Sequence, residues 1–277
     1  MSSVITIIAI MALVGLFFGL VLAFANKKLA VEMNPLIHVV EDILPKGQCG
    51  ACGFAGCQAY AEAVVLDKDV APNLCIPGKK IIADQVAKLT GKAAADVEDR
   101  FAFIKCWQPA TGNSKYIYSG IQDCWAATLC QAGPKECEYG CIGLGTCVKQ
   151  CVFDAIHISE QGLPVVDKEK CTGCGKCATA CPKHVIDMIP IDAHVAVYCN
   201  SLDKGAVVRK ICKVGCIGCS ICVKQCPHGA IKMKDNLAVV DASICIEKCD
   251  DPVCMEKCPT KVLKTYKIPP LELVEAV

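Results

Sequence analysis

Two stretches of the chain carry one cysteine pattern. They read Cys171-TG-Cys174-GK-Cys177-ATA-Cys181-Pro182 and Cys216-IG-Cys219-SI-Cys222-VKQ-Cys226-Pro227. Three thiolates at two-residue intervals come from one tight loop and can cap three irons of a [4Fe–4S] cubane. The fourth, turned aside by the proline, serves a partner cluster. Gly173, Gly175 and Gly218 permit the loop and let backbone N–H groups approach the sulfides. Structural zinc takes paired CxxC knuckles, a different grammar.

Each run has a looser companion. Cys137-x3-Cys141-x5-Cys147-x3-Cys151 precedes the first, and Cys245-x3-Cys249-x4-Cys254-x3-Cys258-Pro259 follows the second. Exchange of the fourth cysteine within each pair predicts four ligand sets. They are Cys137, Cys141, Cys147 with Cys181; Cys171, Cys174, Cys177 with Cys151; Cys216, Cys219, Cys222 with Cys258; and Cys245, Cys249, Cys254 with Cys226. A fifth set is expected near the amino terminus, where Cys49, Cys52 and Cys57 are interleaved with glycine and Cys75 closes the group from a distance. Zinc stays a rival there, because the fourth ligand is remote. The expectation is five [4Fe–4S] clusters, three if the companion runs are empty. Cys106, Cys124, Cys130, Cys199 and Cys212 are left over, either as buried thiols or as a sixth cluster or redox pair involving Cys106, Cys124 and Cys130.

The elements that must hold these thiols repeat as well. Cys151-VFDAIHI, Cys181-PKHVIDM, Cys226-PHGAIKM and Cys258-PTKVLKT share one shape, and short, long, short gaps between them mark two duplicated modules. Leu36–Leu44 reads as a short amphipathic helix, residues 79–104 as mainly helix-forming, and HVAVYC as a strand followed by a short helix. His184 and His228 follow the Cys-Pro turns and suit turn formation or solvent. Val4 to Ala25 form 22 uncharged, mostly apolar residues, about 33 Å as a helix and enough to span hydrocarbon. A cleaved signal peptide would carry a basic segment first; here Lys27 and Lys28 come after the run, which favours an uncleaved anchor with its carboxyl side in the cytoplasm.

The predicted fold class is α+β: a single transmembrane helix, a small helical 4Fe-4S domain and two tandem bacterial-ferredoxin-like modules. The predicted divisions are anchor 1–26, linker and short helix 27–46, amino-terminal cluster domain 47–80, helical spacer 81–132, first module 133–190, connector 191–211, second module 212–267 and tail 268–277. With 29 basic and 28 acidic residues the net charge is +1, which excludes the basic field a nucleic-acid binder needs. The 25 cysteines are an odd number, so they cannot all pair as disulfides within one chain. No dinucleotide fingerprint, Walker A run or Ser/His/Asp arrangement stands out, so bound cofactors carry the chemistry.

The order of anchor, GQCGACGFAGC, spacer and two modules resembles the B subunit of the Rnf complex, a membrane-bound ferredoxin:NAD oxidoreductase that moves Na+ or H+. The resemblance rests on Gly47 to Cys57, Ile121 to Cys151 and Lys213 to Pro227. It implies electron uptake from soluble ferredoxin, delivery to other Rnf subunits, a lipid bilayer contact through residues 4–25, a place in the cytoplasmic membrane with the bulk on the cytoplasmic side, and NAD reduction on another subunit. A polyferredoxin subunit of a different redox complex and an iron–sulfur sensor are the alternative expectations.

Overall fold

The computed structural model describes residues 2–29, 34–109, 113–249 and 251–265. The expected tail at 268–277 lies outside them. Helix α1 (Ser2–Leu29) ends on Lys27 and Lys28. The most apolar 18-residue window within residues 5–28 has a mean hydropathy of 2.9, and none of that window is buried in the chain. Among the described residues α1 is the one helix long and apolar enough to cross a membrane.

Helix α2 (Pro35–Ile43) starts where the Asn34 side chain accepts the Leu36 N–H and Pro35 occupies the first turn, an arrangement that suits a helix start. Its apolar face packs Ile37 and Val40 against Tyr60, Ala61 and Val64 of α3 (Cys57–Leu66) and Val86 of α4 (Lys79–Thr90). Gly91 ends α4 in the left-handed region, and the next residue, Lys92, reaches back to the Val64, Asp67 and Val70 carbonyls around the end of α3. Those carbonyls lack helical partners. Replacing Lys92 with methionine is expected to destabilise this small domain by about 2 kcal/mol. Thermal unfolding would register it, and an unchanged first transition would refute the assignment.

The stretch 79–104 departs from its helical expectation: α4 stops at Thr90 and residues 100–104 form a strand, β1 (Arg100–Ile104). The sequence RFAFI buries four of its five residues. Successive strand side chains face opposite ways, and two cores take them up. Ala102 and Ile104 enter the core of the first module, and Phe103 enters that of the second.

Beyond β1 come α5 (Cys124–Leu129), α6 (Thr146–Lys149), the hairpin β2 (Ile156–Ile158) and β3 (Pro164–Val166), α7 (Lys176–Thr179) and β4 (Ile186–Pro190). Strand β4 pairs antiparallel with β1, Arg100 opposite Pro190. The second module repeats the plan. Strand β5 (Ala196–Val197) is followed by α8 (Gly205–Ile211), α9 (Ile221–Gln225), the hairpin β6 (Ile231–Lys234) and β7 (Leu237–Val240), α10 (Ala242–Lys248), α11 (Val253–Glu256) and β8 (Leu263–Lys264), which pairs with β5. Each module is thus an outer strand pair enclosing a hairpin, as the duplication predicts. Strand β1 comes from the expected spacer and β5 from the expected connector.

The four repeated segments share their backbone. In each, a strand starts five residues after the cysteine: Cys151 to Ile156, Cys181 to Ile186, Cys226 to Ile231, Cys258 to Leu263. In each, the third residue after the cysteine has positive φ: Asp154, His184, Gly229 and Lys261. His184 therefore shapes a turn.

Candidate metal centres

None of the 25 cysteines is paired in a disulfide. Among the described residues no group of three or more His, Cys, Asp or Glu converges tightly enough for a single metal ion.

At the amino-terminal centre, Cys57 opens α3 and Cys75 precedes a single 3₁₀ turn, Ile76–Gly78. The Cys75 thiol is pushed up to about 11, by burial first and then by charges on Cys57, Cys49 and Cys52, which puts the four sulfurs in one neighbourhood. The Gln48 side chain accepts the Cys57 N–H at 2.9 Å. A Cβ on Gly56 would stand 2.3 Å from that Gln48 oxygen, so a side chain there would push the Gln48 amide aside.

In the second module, Cys216, Cys219, Cys222 and Cys258 wall one cavity of about 330 Å³. Burial pushes Cys222 up to about 11, with further upward contributions from Cys216, Cys258 and Cys219. Cys254 is pushed up to about 12, by burial first and then by Cys245, Cys249 and Cys226. The fold therefore gathers both expected sets of this module, fourth-cysteine exchange included.

In the first module, Cys171, Cys177 and Cys151 share a core. The Cys171 sulfur accepts the Ala102 N–H of β1 at 3.4 Å, and the Cys151 sulfur accepts the Ala155 N–H at 3.3 Å. Cys177 is pushed up to about 12 by burial, then by charges on Cys171, Cys174 and Cys147. The Thr172 hydroxyl is buried without a hydrogen-bond partner, beside the Cys174 sulfur whose thiolate it favours. Anionic sulfur at this place would give that orphaned donor its acceptor.

The remaining first-module set differs from expectation. A cavity of about 380 Å³ is walled by Cys124, Cys141, Cys147 and Cys181; Cys137 is not among its lining residues. Cys137 instead lines a second cavity, of about 340 Å³, with Cys106, Cys199 and Cys212. Cys124 is placed by α5. Asp123 caps that helix through the Trp125 and Ala126 N–H groups and accepts the Thr146 hydroxyl, and Thr146 in turn accepts the Cys124 N–H at 2.8 Å. Those bonds, the Ala126 N–H foremost, hold the Asp123 carboxyl below the usual range. The signal is present in the sequence. Cys141-IG-Leu144-GT-Cys147-VKQ-Cys151 aligns residue for residue with Cys216-IG-Cys219-SI-Cys222-VKQ-Cys226, with leucine in the second cysteine position. Cys130 is exposed and lines none of these cavities.

Buried thiols pushed this far up stay protonated when free, so metal must displace their protons on binding. The donor set, all sulfur and grouped in fours, fits iron–sulfur clusters.

Comparison with known proteins agrees with this donor set. A family model described as "Putative Fe-S cluster" matches residues 44–77, and one described as "4Fe-4S binding domain" matches 164–187 and 215–232. The chain is 56% identical, over 95% of its length and 93% of the relative's, to the B subunit of the proton-translocating ferredoxin:NAD(+) oxidoreductase complex of Clostridium ljungdahlii. It is 41% identical to the B subunit of the ion-translocating oxidoreductase complex of Methanosarcina acetivorans, over 95% of this chain and 99% of that one. It is 39% identical to the B subunit of the Na(+)-translocating ferredoxin:NAD(+) oxidoreductase complex of Acetobacterium woodii, over 94% and 77%.

Proposed function

The chain belongs to the family of Rnf-complex B subunits, and from that premise we propose how it works as the iron–sulfur electron-transfer subunit of an ion-translocating ferredoxin:NAD oxidoreductase. It takes electrons from reduced soluble ferredoxin and relays them to other subunits of the complex. Five [4Fe–4S] sites serve this relay. Their ligands are Cys49, Cys52, Cys57 and Cys75; Cys171, Cys174, Cys177 and Cys151; Cys124, Cys141, Cys147 and Cys181; Cys216, Cys219, Cys222 and Cys258; and Cys245, Cys249, Cys254 and Cys226. The second-module sites form the entry side, and the amino-terminal site lies towards the membrane subunits. Residues 4–25 cross the bilayer once, and the rest of the chain sits on its cytoplasmic face.

The observation that carries this reading is the succession of thiol groups. Cys49 is close enough to Cys174 for its charge to raise that thiol, and Cys147 stands in the same relation to Cys177, and Cys222 to Cys254. Neighbouring sets therefore lie side by side. The bound clusters supply one-electron chemistry. The chain supplies burial, backbone N–H groups aimed at sulfur and fixed spacing, which together set potentials. No ionisable side chain lies between Val4 and Ala25, so α1 contributes position rather than an ion path.

Iron and sulfide analysis of anaerobically purified protein tests the cofactor content: five cubanes require at least about 20 iron atoms per chain. Stopped-flow mixing with reduced ferredoxin tests the role, and bleaching faster than with a redox-inert protein is expected. A chain lacking residues 1–28 should keep its iron and its reduction by ferredoxin yet leave the membrane fraction. If it stays in that fraction, the anchor is not the principal attachment. Iron-loaded protein that ferredoxin fails to reduce would favour the sensor reading.

A further inference from the structure

The cavity shared by Cys106, Cys137, Cys199 and Cys212 belongs to none of the five sites. Cys106 follows β1, whereas Cys199 follows β5 and Cys212 caps α8 in the connector between the modules; the two segments lie far apart in sequence and meet where the two modules join. Like the cavity at Cys216, Cys219, Cys222 and Cys258, this one is walled by four cysteines. Its sulfurs are approached by N–H groups from several strands of the chain. The Cys141 N–H donates to the Cys106 sulfur at 3.3 Å and the Ser201 N–H to the Cys199 sulfur at 3.5 Å. Tyr139 and Gly140 offer theirs to Cys137, and Val214 and Gly215 to Cys212.

A lysine gives a second, independent indication. Lys135 lines the same cavity at 3% exposure, and its ammonium donates to the Gln108 carbonyl at 3.2 Å. Among the described residues no carboxylate is within ion-pair distance of it. A buried cation is costly without a compensating negative charge, and a four-thiolate cluster is anionic.

We propose that Cys106, Cys137, Cys199 and Cys212 hold a further [4Fe–4S] cluster that joins the two ferredoxin-like modules electronically. The inference rests on the reading of the chain as an iron–sulfur electron carrier. The location explains what the site is for. The Cys106 sulfur bonds the N–H of Cys141, a ligand in the first module, and the Cys199 sulfur receives the N–H of Cys216, a ligand in the second. The site therefore touches the ligand shells of one cluster on each side. With it, 24 of the 25 cysteines fall into six sets of four, and only exposed Cys130 is left over.

The test uses the full chain, loaded anaerobically, with iron, sulfide, zinc and Mössbauer area measured per polypeptide. About 24 iron atoms are expected, six cubanes. The Cys106→Ser, Cys199→Ser double variant should lose about four of them and one component of the EPR redox titration, with Cys130→Ser unchanged as control. Reduction of the amino-terminal half by ferredoxin should slow at least tenfold in the double variant while the second module is still reduced quickly. Unmodified protein with about 20 iron atoms, with or without one zinc, would overturn the sixth site and leave the five-site carrier intact; this measurement needs no variant to fold. Protein without iron would overturn both.

Discussion

A Cys124→Ser chain is expected to hold about four fewer iron atoms than the parent, and adding Leu144→Cys to it should bring them back. The reasoning is positional. Leu144 stands where Cys219 stands in the second module, inside an otherwise matching cysteine run, and it is flanked by Gly143 and Gly145, which line the cavity with Cys141, Cys147 and Cys181. The thiol missing from the loop arrives from α5 through Cys124, held by Thr146 and Asp123. A cysteine at 144 would restore the three-thiol loop and make the remote donor unnecessary. Iron and sulfide analysis with Mössbauer integration reads both steps. Full iron in Cys124→Ser would show that Cys124 is no ligand, and failure of Leu144→Cys to restore it would show that the loop geometry differs between the modules.

Gly173→Ala should destabilise the first module by about 3 kcal/mol or more, whereas Gly175→Ala should cost about 1–2. Both glycines have φ of +74°, so the conformational penalty of an L side chain is common to them. They differ in space. A Cβ at 173 would stand 2.4 Å from the Arg100 carbonyl oxygen, and one at 175 meets nothing nearer than Met188 Cγ at 3.9 Å. The obstacle at 173 is backbone and cannot swing away. Relief requires β1 to move, which loosens its pairing with β4 and the Ala102 N–H bond to the Cys171 sulfur. Thermal unfolding of the two variants, with EPR of the reduced protein, separates the contributions. Equal losses would mean that β1 yields easily.

The cluster-binding runs are the most legible part of the chain, because a cubane's demand for three thiols from one loop leaves a spacing that survives without any structure. In the second module the thiols group as that spacing and the exchange of the fourth cysteine lead one to expect. The difference in the first module has a physical cause. Cys137 precedes Cys141 in sequence, and proximity along the chain pairs the two, but the turn around Gly140 directs the Cys137 sulfur to another cavity. Thiols that arrive singly from separate elements, such as Cys106, Cys199 and Cys212, leave no local spacing, and only the fold brings them together. The strand at 100–104 is hidden for a related reason. RFAFI has no polar alternation because both of its faces are buried, each in a different core, and such a run cannot be told from helix by periodicity.

The pairing of β5 with β8 also bears on how the protein is made. Residues 196–197 wait for their partners at 263–264, so the outer strand pair of the second module cannot close until residue 264 has left the ribosome. Cys258, which shares a cavity with Cys216, Cys219 and Cys222, emerges only shortly before that strand, so this set of four is complete only then. A truncation a dozen residues short of the described end would thus forfeit the entire module, metal included, where a cut of similar size within a helical array would trim only one repeat.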